Sequence, residues 1–239
     1  MRGCLFTLLL GAIVVAFVIV VGLPAVAAGV MTAGLSTAGL VADDTTVTVT
    51  SDPPTDFLGL RADRVQITAT DATFRGMEIG ALDLALGDVR ILDRTAGSVD
   101  GQLTAVTVTG PGGQRITIDQ IALLGGPDGI TTTTVIPNGE VKALIADAIE
   151  ARTGSRPTSV SLRAPDRVSF TLGDAKVAGR FAVTPGGDLV VRGDDALAGG
   201  REVMLVRGGD DLPIELTTVK VTASGGLRLT GDLTIGILG

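Results

Sequence analysis

The sequence has no histidine, tryptophan or tyrosine, and one cysteine in its 239 residues. Without histidine there is no Ser-His-Asp triad, no imidazole base and no imidazole metal ligand. The single thiol, Cys4, sits in an apolar leader, which excludes disulfide frameworks, cysteine-ligated zinc and a soluble thiol nucleophile. Aromatics are scarce as well. Beyond the leader only Phe57, Phe74, Phe170 and Phe181 remain, a poor supply for stacking on nucleic-acid bases. Positive charge is in the minority, with 19 Lys and Arg against 26 Asp and Glu for a net charge of −7. On net charge alone, an acidic domain is a poor match to nucleic acid or to an anionic membrane surface.

What is present is apolar, at 45% of the chain. No residue from Gly3 to Ala42 is charged. Its densest part, Leu5 to Leu23, would span about 28 Å as a helix, close to one hydrocarbon core. Arg2 at the amino end orients such a segment with its N-terminus in the cytoplasm and the following chain outside. The run exceeds an ordinary signal-peptide core, which favours an uncleaved membrane anchor over residues 1–24. Ala25-Val26-Ala27 is the competing cleavage position, and either outcome exports the domain. Residues 25–44 read as an apolar linker or a docking helix, and 45–239 as a β-rich extracytoplasmic domain.

In that domain the dominant period is two, as in half-buried strands. Val65/Ile67, Leu82/Leu84/Leu86, Val106/Val108, Ile116/Ile118, Val168/Phe170, Val219/Val221 and Leu227/Leu229 alternate with polar residues. The parity slips near Gly87-Asp88 and Asp119-Gln120, which predicts β-bulges. Pro111-Gly112-Gly113, Pro185-Gly186-Gly187 and Ser224-Gly225-Gly226 read as turns rather than phosphate loops, because no Lys-Ser/Thr and no helix follows. Glu140–Thr153 is the exception to the strand period. Val141, Leu144, Ile145, Ala148 and Ile149 form one helical stripe, with Asn138 as the expected N-cap and Gly154 at the C-terminal end.

One short helix cannot cover so much one-faced sheet. The sheet must roll onto itself, pack on a second sheet, or enclose something apolar that is not protein. The expected fold is therefore mainly β with one or two helices: a strongly curved antiparallel sheet, or half-barrel, wrapped around a helix and enclosing an apolar groove. An internal duplication adds to this. Leu60–Thr68 (LRADRVQIT) recurs as Leu162–Thr171 (LRAPDRVSFT), and Leu103–Thr117 as Leu216–Thr230, pointing to related blocks at 57–125 and 159–237.

The apolar leader, Phe57-Leu58 before LRADRVQITATDA, IGALDLALGDVRI, and Leu212-Pro213-Ile214 before LTTVKVTASGGLRLTG together resemble the actinobacterial LmeA-like phospholipid-binding family. The family's contiguous Pro-Phe-Leu is split here, with Thr55-Asp56 between Pro54 and Phe57. The resemblance implies a tubular lipid-binding fold in the cell envelope that holds phospholipid or a related envelope glycolipid and supports its biogenesis. Acyl chains would then rest on Val141, Leu144, Ile145 and Ile149 of the helix and on Val65, Ile67, Leu82, Leu84 and Leu86 of the strands. Arg61, Arg64, Arg163 and Arg167, paired through the duplication, are the head-group candidates. The membrane is the other expected partner, through the N-terminal segment. No cofactor, metal or nucleic acid is implied.

Two other readings differ in kind. One is a ligand-free structural or adhesive β module that scaffolds envelope proteins, told apart by a filled interior. The other is an enzyme built on Asp43-Asp44, Asp194-Asp195 or Asp210-Asp211. Adjacent carboxylates point to opposite faces of a strand and lack the alternating spacing of a calcium loop, so catalysis ranks last.

Overall fold

A computed structural model of the chain describes residues 28–29, 32–33, 36–37, 39–53, 56, 59–74, 76–91, 93, 95–109, 113, 115–193, 202–207 and 214–233. The expected anchor at Leu5–Leu23, the Ala25–Ala27 site, Phe57-Leu58, Asp194-Asp195 and Asp210-Asp211 lie outside those residues. No helix among the described residues is long and apolar enough to cross a membrane.

The described residues are mainly β, in two antiparallel sheets, with a 16-residue helix between them in the chain. Strands β1 (Leu40–Thr50), β2 (Arg61–Phe74), β3 (Met77–Arg90), β4 (Ser98–Thr109), β5 (Arg115–Gly126) and β6 (Gly129–Ile136) form a meander. Helix α1 (Asn138–Thr153) follows, then β7 (Ser159–Arg163), β8 (Arg167–Leu172), β9 (Ala175–Val183), β10 (Leu189–Gly193) and β11 (Val203–Val206). The chain then returns as the hairpin β12 (Ile214–Val221) and β13 (Leu227–Leu233). The larger sheet has the order β1-β2-β3-β4-β5-β6-β13-β12, and the smaller β11-β10-β9-β8-β7.

Of the ways to bury the one-faced sheet, the fold uses the second sheet together with α1. The helix packs against β11, β7 and β5, and β12 meets β9. The Val221 N–H donates to the Pro165 carbonyl at 2.6 Å, tying the return hairpin to the β7–β8 turn. Both sheets are open. Among the described strands the larger ends at β1 and β12 and the smaller at β11 and β7, with β12 held beside the smaller sheet through β9 and Pro165. Neither closes nor curls strongly.

The burial parity slips at the two expected places, but not through β-bulges: paired strands keep one register across them, and the slips belong to lines that cross the sheet. Pairing lapses where Asp71 faces Gly80, where Gly80 faces Ala105, and where Ala105 faces Asp119, then resumes in the same register. Asp71 (φ 48°) and Ala105 (φ 50°) are left-handed there. Each strand gains one residue at the same rung, so Ala69 and Ala72, Ile79 and Leu82, Leu103 and Val106, and Ile118 and Ile121 are all buried. A second lapse falls where Asp63 faces Asp88 (φ 51°). Because every strand slips at the same rung, the neighbours keep their register while the buried parity changes in all of them.

The helix differs from expectation at its start. Pro137 occupies the N-cap position, and its carbonyl accepts from the Val141 N–H at 3.0 Å. Asn138 is already helical, does not cap, and leaves its Oδ1 buried without a partner. Gly154 (φ 74°) closes the other end, its N–H donating to the Glu150 carbonyl at 2.8 Å. Ala146 is buried, whereas Ala148 of the expected stripe is half-buried. In the expected linker, residues 28, 29, 32, 33, 36 and 37 are helical and Ala28 packs on the core. β1 begins already at Leu40, within the expected linker, so Asp43 and Asp44 are exposed strand residues.

The sequence repeats fold unequally. LRADRVQIT runs into the single strand β2 from Arg61 on, whereas LRAPDRVSFT is broken by a turn into the β7–β8 hairpin. Leu103–Thr117 and Leu216–Thr230 are both hairpins of the larger sheet, β4–β5 and β12–β13.

The β12–β13 hairpin completes the larger sheet and is closely packed. A Cβ at Gly231 would lie 2.6 Å from the Glu215 carbonyl oxygen, whereas one at Gly186 would have nothing nearer than 3.8 Å. Gly231→Ala is expected to lower stability by roughly 1–3 kcal/mol in thermal denaturation, and Gly186→Ala to leave the melting temperature near the wild-type value.

Candidate functional site

An apolar opening forms a seam between the two sheets. It is lined by Val108 of β4, Ile116, Ile118 and Ile121 of β5, Thr132, Thr134 and Ile136 of β6, Val206 of β11, Ile214 and Leu216 of β12, and Leu229 of β13. Strand alternation sends these side chains to one face, and the Asp119-Gln120 slip lets Ile121 join Ile116 and Ile118 there. The seam contains no ionisable group.

Its two hydroxyls are turned to the backbone. Thr132 Oγ1 donates to the Gly231 carbonyl at 3.0 Å and Thr134 Oγ1 to the Gln120 carbonyl at 2.7 Å. The threonines thereby present methyl groups to the interior and leave no hydroxyl donor free. The cavity is about 10 Å³, room for roughly one water. In this conformation the seam is closed.

A second opening of about 390 Å³ lies on the outer side of the larger sheet, lined by Asp119, Gln120, Ala122, Thr133, Thr134, Val135, Pro137 and Arg228. It is open to solvent and mixes apolar surface with the polar side chains of Asp119, Gln120 and Arg228. Only the β5–β6 pair, through Thr134 and Gln120, separates it from the seam. Among the described residues, no group of three or more His, Cys, Asp or Glu is placed to hold a metal ion.

The residues singled out for acyl contact lie inside the molecule but not in this seam. Val141, Leu144, Ile145 and Ile149 are buried on α1, and Val65, Ile67 and Leu82 on β2 and β3, while Leu84 and Leu86 are half-buried. Register pairs Val65 with Leu86 and Ile67 with Leu84. All belong to the one apolar core, and none lines the opening.

The head-group candidates separate into two places. Arg61 faces Arg90 across β2 and β3, with Arg64 exposed on the same strand. Arg163 faces Arg167 across β7 and β8. All four are exposed on strand positions that alternate with buried ones, so they do not rim the seam.

The seam residues themselves carried only a weak signal. Ile116/Ile118 and Leu227/Leu229 show as alternating strands. β6, however, reads Thr131-Thr132-Thr133-Thr134, where chemistry does not alternate although burial does. Side-chain identity thus hides which threonines face inward.

Comparison with protein-family models, with curated proteins and with solved structures finds no match to this chain. The functional reading therefore stands on the residues and the geometry. Truncating the seam tests whether it is packed as described. Ile118→Ala is expected to cost about 2–5 kcal/mol in chemical denaturation, the usual range for a large aliphatic cut from a closed core.

Proposed function

We propose that this chain is a non-catalytic lipid-binding protein of the cell envelope, holding the acyl chains of phospholipid or a related glycolipid between its two sheets outside the cytoplasmic membrane. The observation that carries this reading is the chemistry of the seam. It is an aliphatic interior whose hydroxyl protons are already spoken for, and it lies between a large sheet and a small sheet that are both open-edged. Each methylene transferred into such a surface contributes about 0.8 kcal/mol. The family resemblance of the sequence supports the same reading.

Loading requires the sheets to part, since ligand sites for molecules of this size run to about 300–1,000 Å³. The aligned slips at Asp71, Gly80, Ala105 and Asp119 are where the larger sheet would bend. In the loaded state it would curve about α1 as the half-barrel expected from sequence, bringing Val65, Ile67, Leu84 and Leu86 toward the chains. Membrane attachment through the N-terminal segment would keep the domain beside its lipid source. The exposed arginines have no part in gripping the acyl chains.

One observation favours a second reading. The closed seam of about 10 Å³ is what a ligand-free scaffolding module would have. The two are distinguished by purifying the full chain and its Leu216→Trp variant, extracting each with organic solvent and weighing the lipids by mass spectrometry. Lipid held by an anchor segment is common to both proteins, and lipid held in the seam is lost from the variant. Lipid binding predicts several-fold more lipid on the wild type. Equal amounts, with Ile118→Phe as a milder filling variant giving the same equality, would leave the scaffold.

A further inference from the structure

Net charge hides a strongly basic surface. Register places Arg163 of β7 opposite Arg167 of β8, Arg167 opposite Arg180 of β9, and Arg180 opposite Arg192 of β10. Directly opposed residues share a face, so four arginines stand in one row across four adjacent strands. At about 4.8 Å per strand the row is roughly 14 Å long. Every one of them is exposed.

Beyond Arg180 and Arg192 the face is covered, since Ala182 faces Val190 and Val190 is fully buried, but on the β7–β9 side it stays open. Ser161 faces Ser169, Ser169 faces Ala178, and Thr171 faces Lys176. The side chains between the cations are therefore short, and Lys176 adds a further positive charge. The row's described carboxylate neighbour is Glu202, whose Oε1 lies 2.7 Å from Arg192 Nε. No ion pair among the described residues involves Arg163, Arg167 or Arg180.

Like charges set directly opposite one another destabilise a sheet. This row is formed in a chain of net charge −7, so it does not follow from general basicity. Arginine rather than lysine dominates it, and the planar guanidinium matches phosphate oxygens in a two-pronged geometry. A flat face without aromatic side chains lacks the stacking platforms used for single-stranded nucleic acid.

We propose that the outer face of the five-stranded sheet is a docking surface for the phosphate layer of an anionic bilayer, gripped by Arg163, Arg167, Arg180 and Arg192. The apolar run from Gly3 to Ala42 precedes the domain and supplies a second, uncharged means of contact with the same membrane. The docking face is independent of lipid uptake, because solvent extraction reads the seam and vesicle binding reads the row.

The test compares the full chain on vesicles of phosphatidylcholine and on vesicles in which roughly one-third of the lipid is phosphatidylglycerol. Partition through the apolar leader is common to both, so the ratio of the two binding constants isolates charge. Arg167→Gln/Arg180→Gln is expected to reduce that ratio about 30-fold, and about 1 M salt, where the Debye length is only about 3 Å, to abolish it. Lys220→Gln/Arg228→Gln removes the same charge from the other sheet and is expected to leave the ratio unchanged. Circular dichroism confirms folding, and Arg163→Gln on the edge strand, with about a fivefold reduction, carries the test if the double variant fails to fold. An unchanged ratio in the row variants, or an equal fall in the Lys220/Arg228 control, overturns the proposal. So does binding to anionic vesicles no tighter than to zwitterionic ones.

Discussion

The larger sheet is apolar on one side only, and the burial of that side constrains everything else. Val65, Val106, Ile121 and Leu227 are fully buried on β2, β4, β5 and β13, so the sheet needs cover along its length. α1 and β7–β11 form an excursion that leaves the sheet after β6 and returns to it as β12–β13, with β13 beside β6. Both ends of the excursion are thus fixed near β6. It folds back over that neighbourhood, and the seam between β4–β6, β11 and β12–β13 follows from this path. Because the place is fully desolvated, Thr132 and Thr134 must bond the backbone, which is why an otherwise polar strand can line an aliphatic interior.

How much of this the sequence discloses depends on whether chemistry and burial share a period. In β2, β3 and α1 they do, and Val65/Ile67, Leu82 and the Val141–Ile149 stripe are readable directly. In β6 they do not, since four successive threonines conceal an alternation that only pairing with β5 and β13 reveals. The slip at Asp119-Gln120 is visible because isoleucines flank it, while the matching slip at Ala105 is muted because the slipped residue is itself apolar, between Leu103 and Val106. Asn138 resembles a cap, but Pro137 has the extended backbone that the cap position needs. The arginine row is invisible for a different reason. Its members come from four strands, and only the register makes them neighbours.

The closed seam and the lipid reading are energetically compatible. Parting the sheets exposes aliphatic surface at about 25 cal/mol per Å², and acyl chains that fill the gap return a similar amount. The exchange is one apolar contact for another, so the outcome rests on the ordering of the chains and the bending of the sheet rather than on lost hydrophobic burial. The aligned slips, which fall on one rung of neighbouring strands without breaking register, are where the proposal puts that bend. In the proposed docking, the arginine face would add direction by setting the smaller sheet against phosphate while the interior stays available to the chains.

The most direct measurement is photo-crosslinking of the full chain with a phospholipid carrying a diazirine in its acyl chain, followed by peptide mapping. Binding between the sheets predicts labels on Ile116–Ile136 and Ile214–Leu229, reduced by free phospholipid and by Leu216→Trp. Labels confined to Leu5–Leu23, with none on the seam strands, would contradict it.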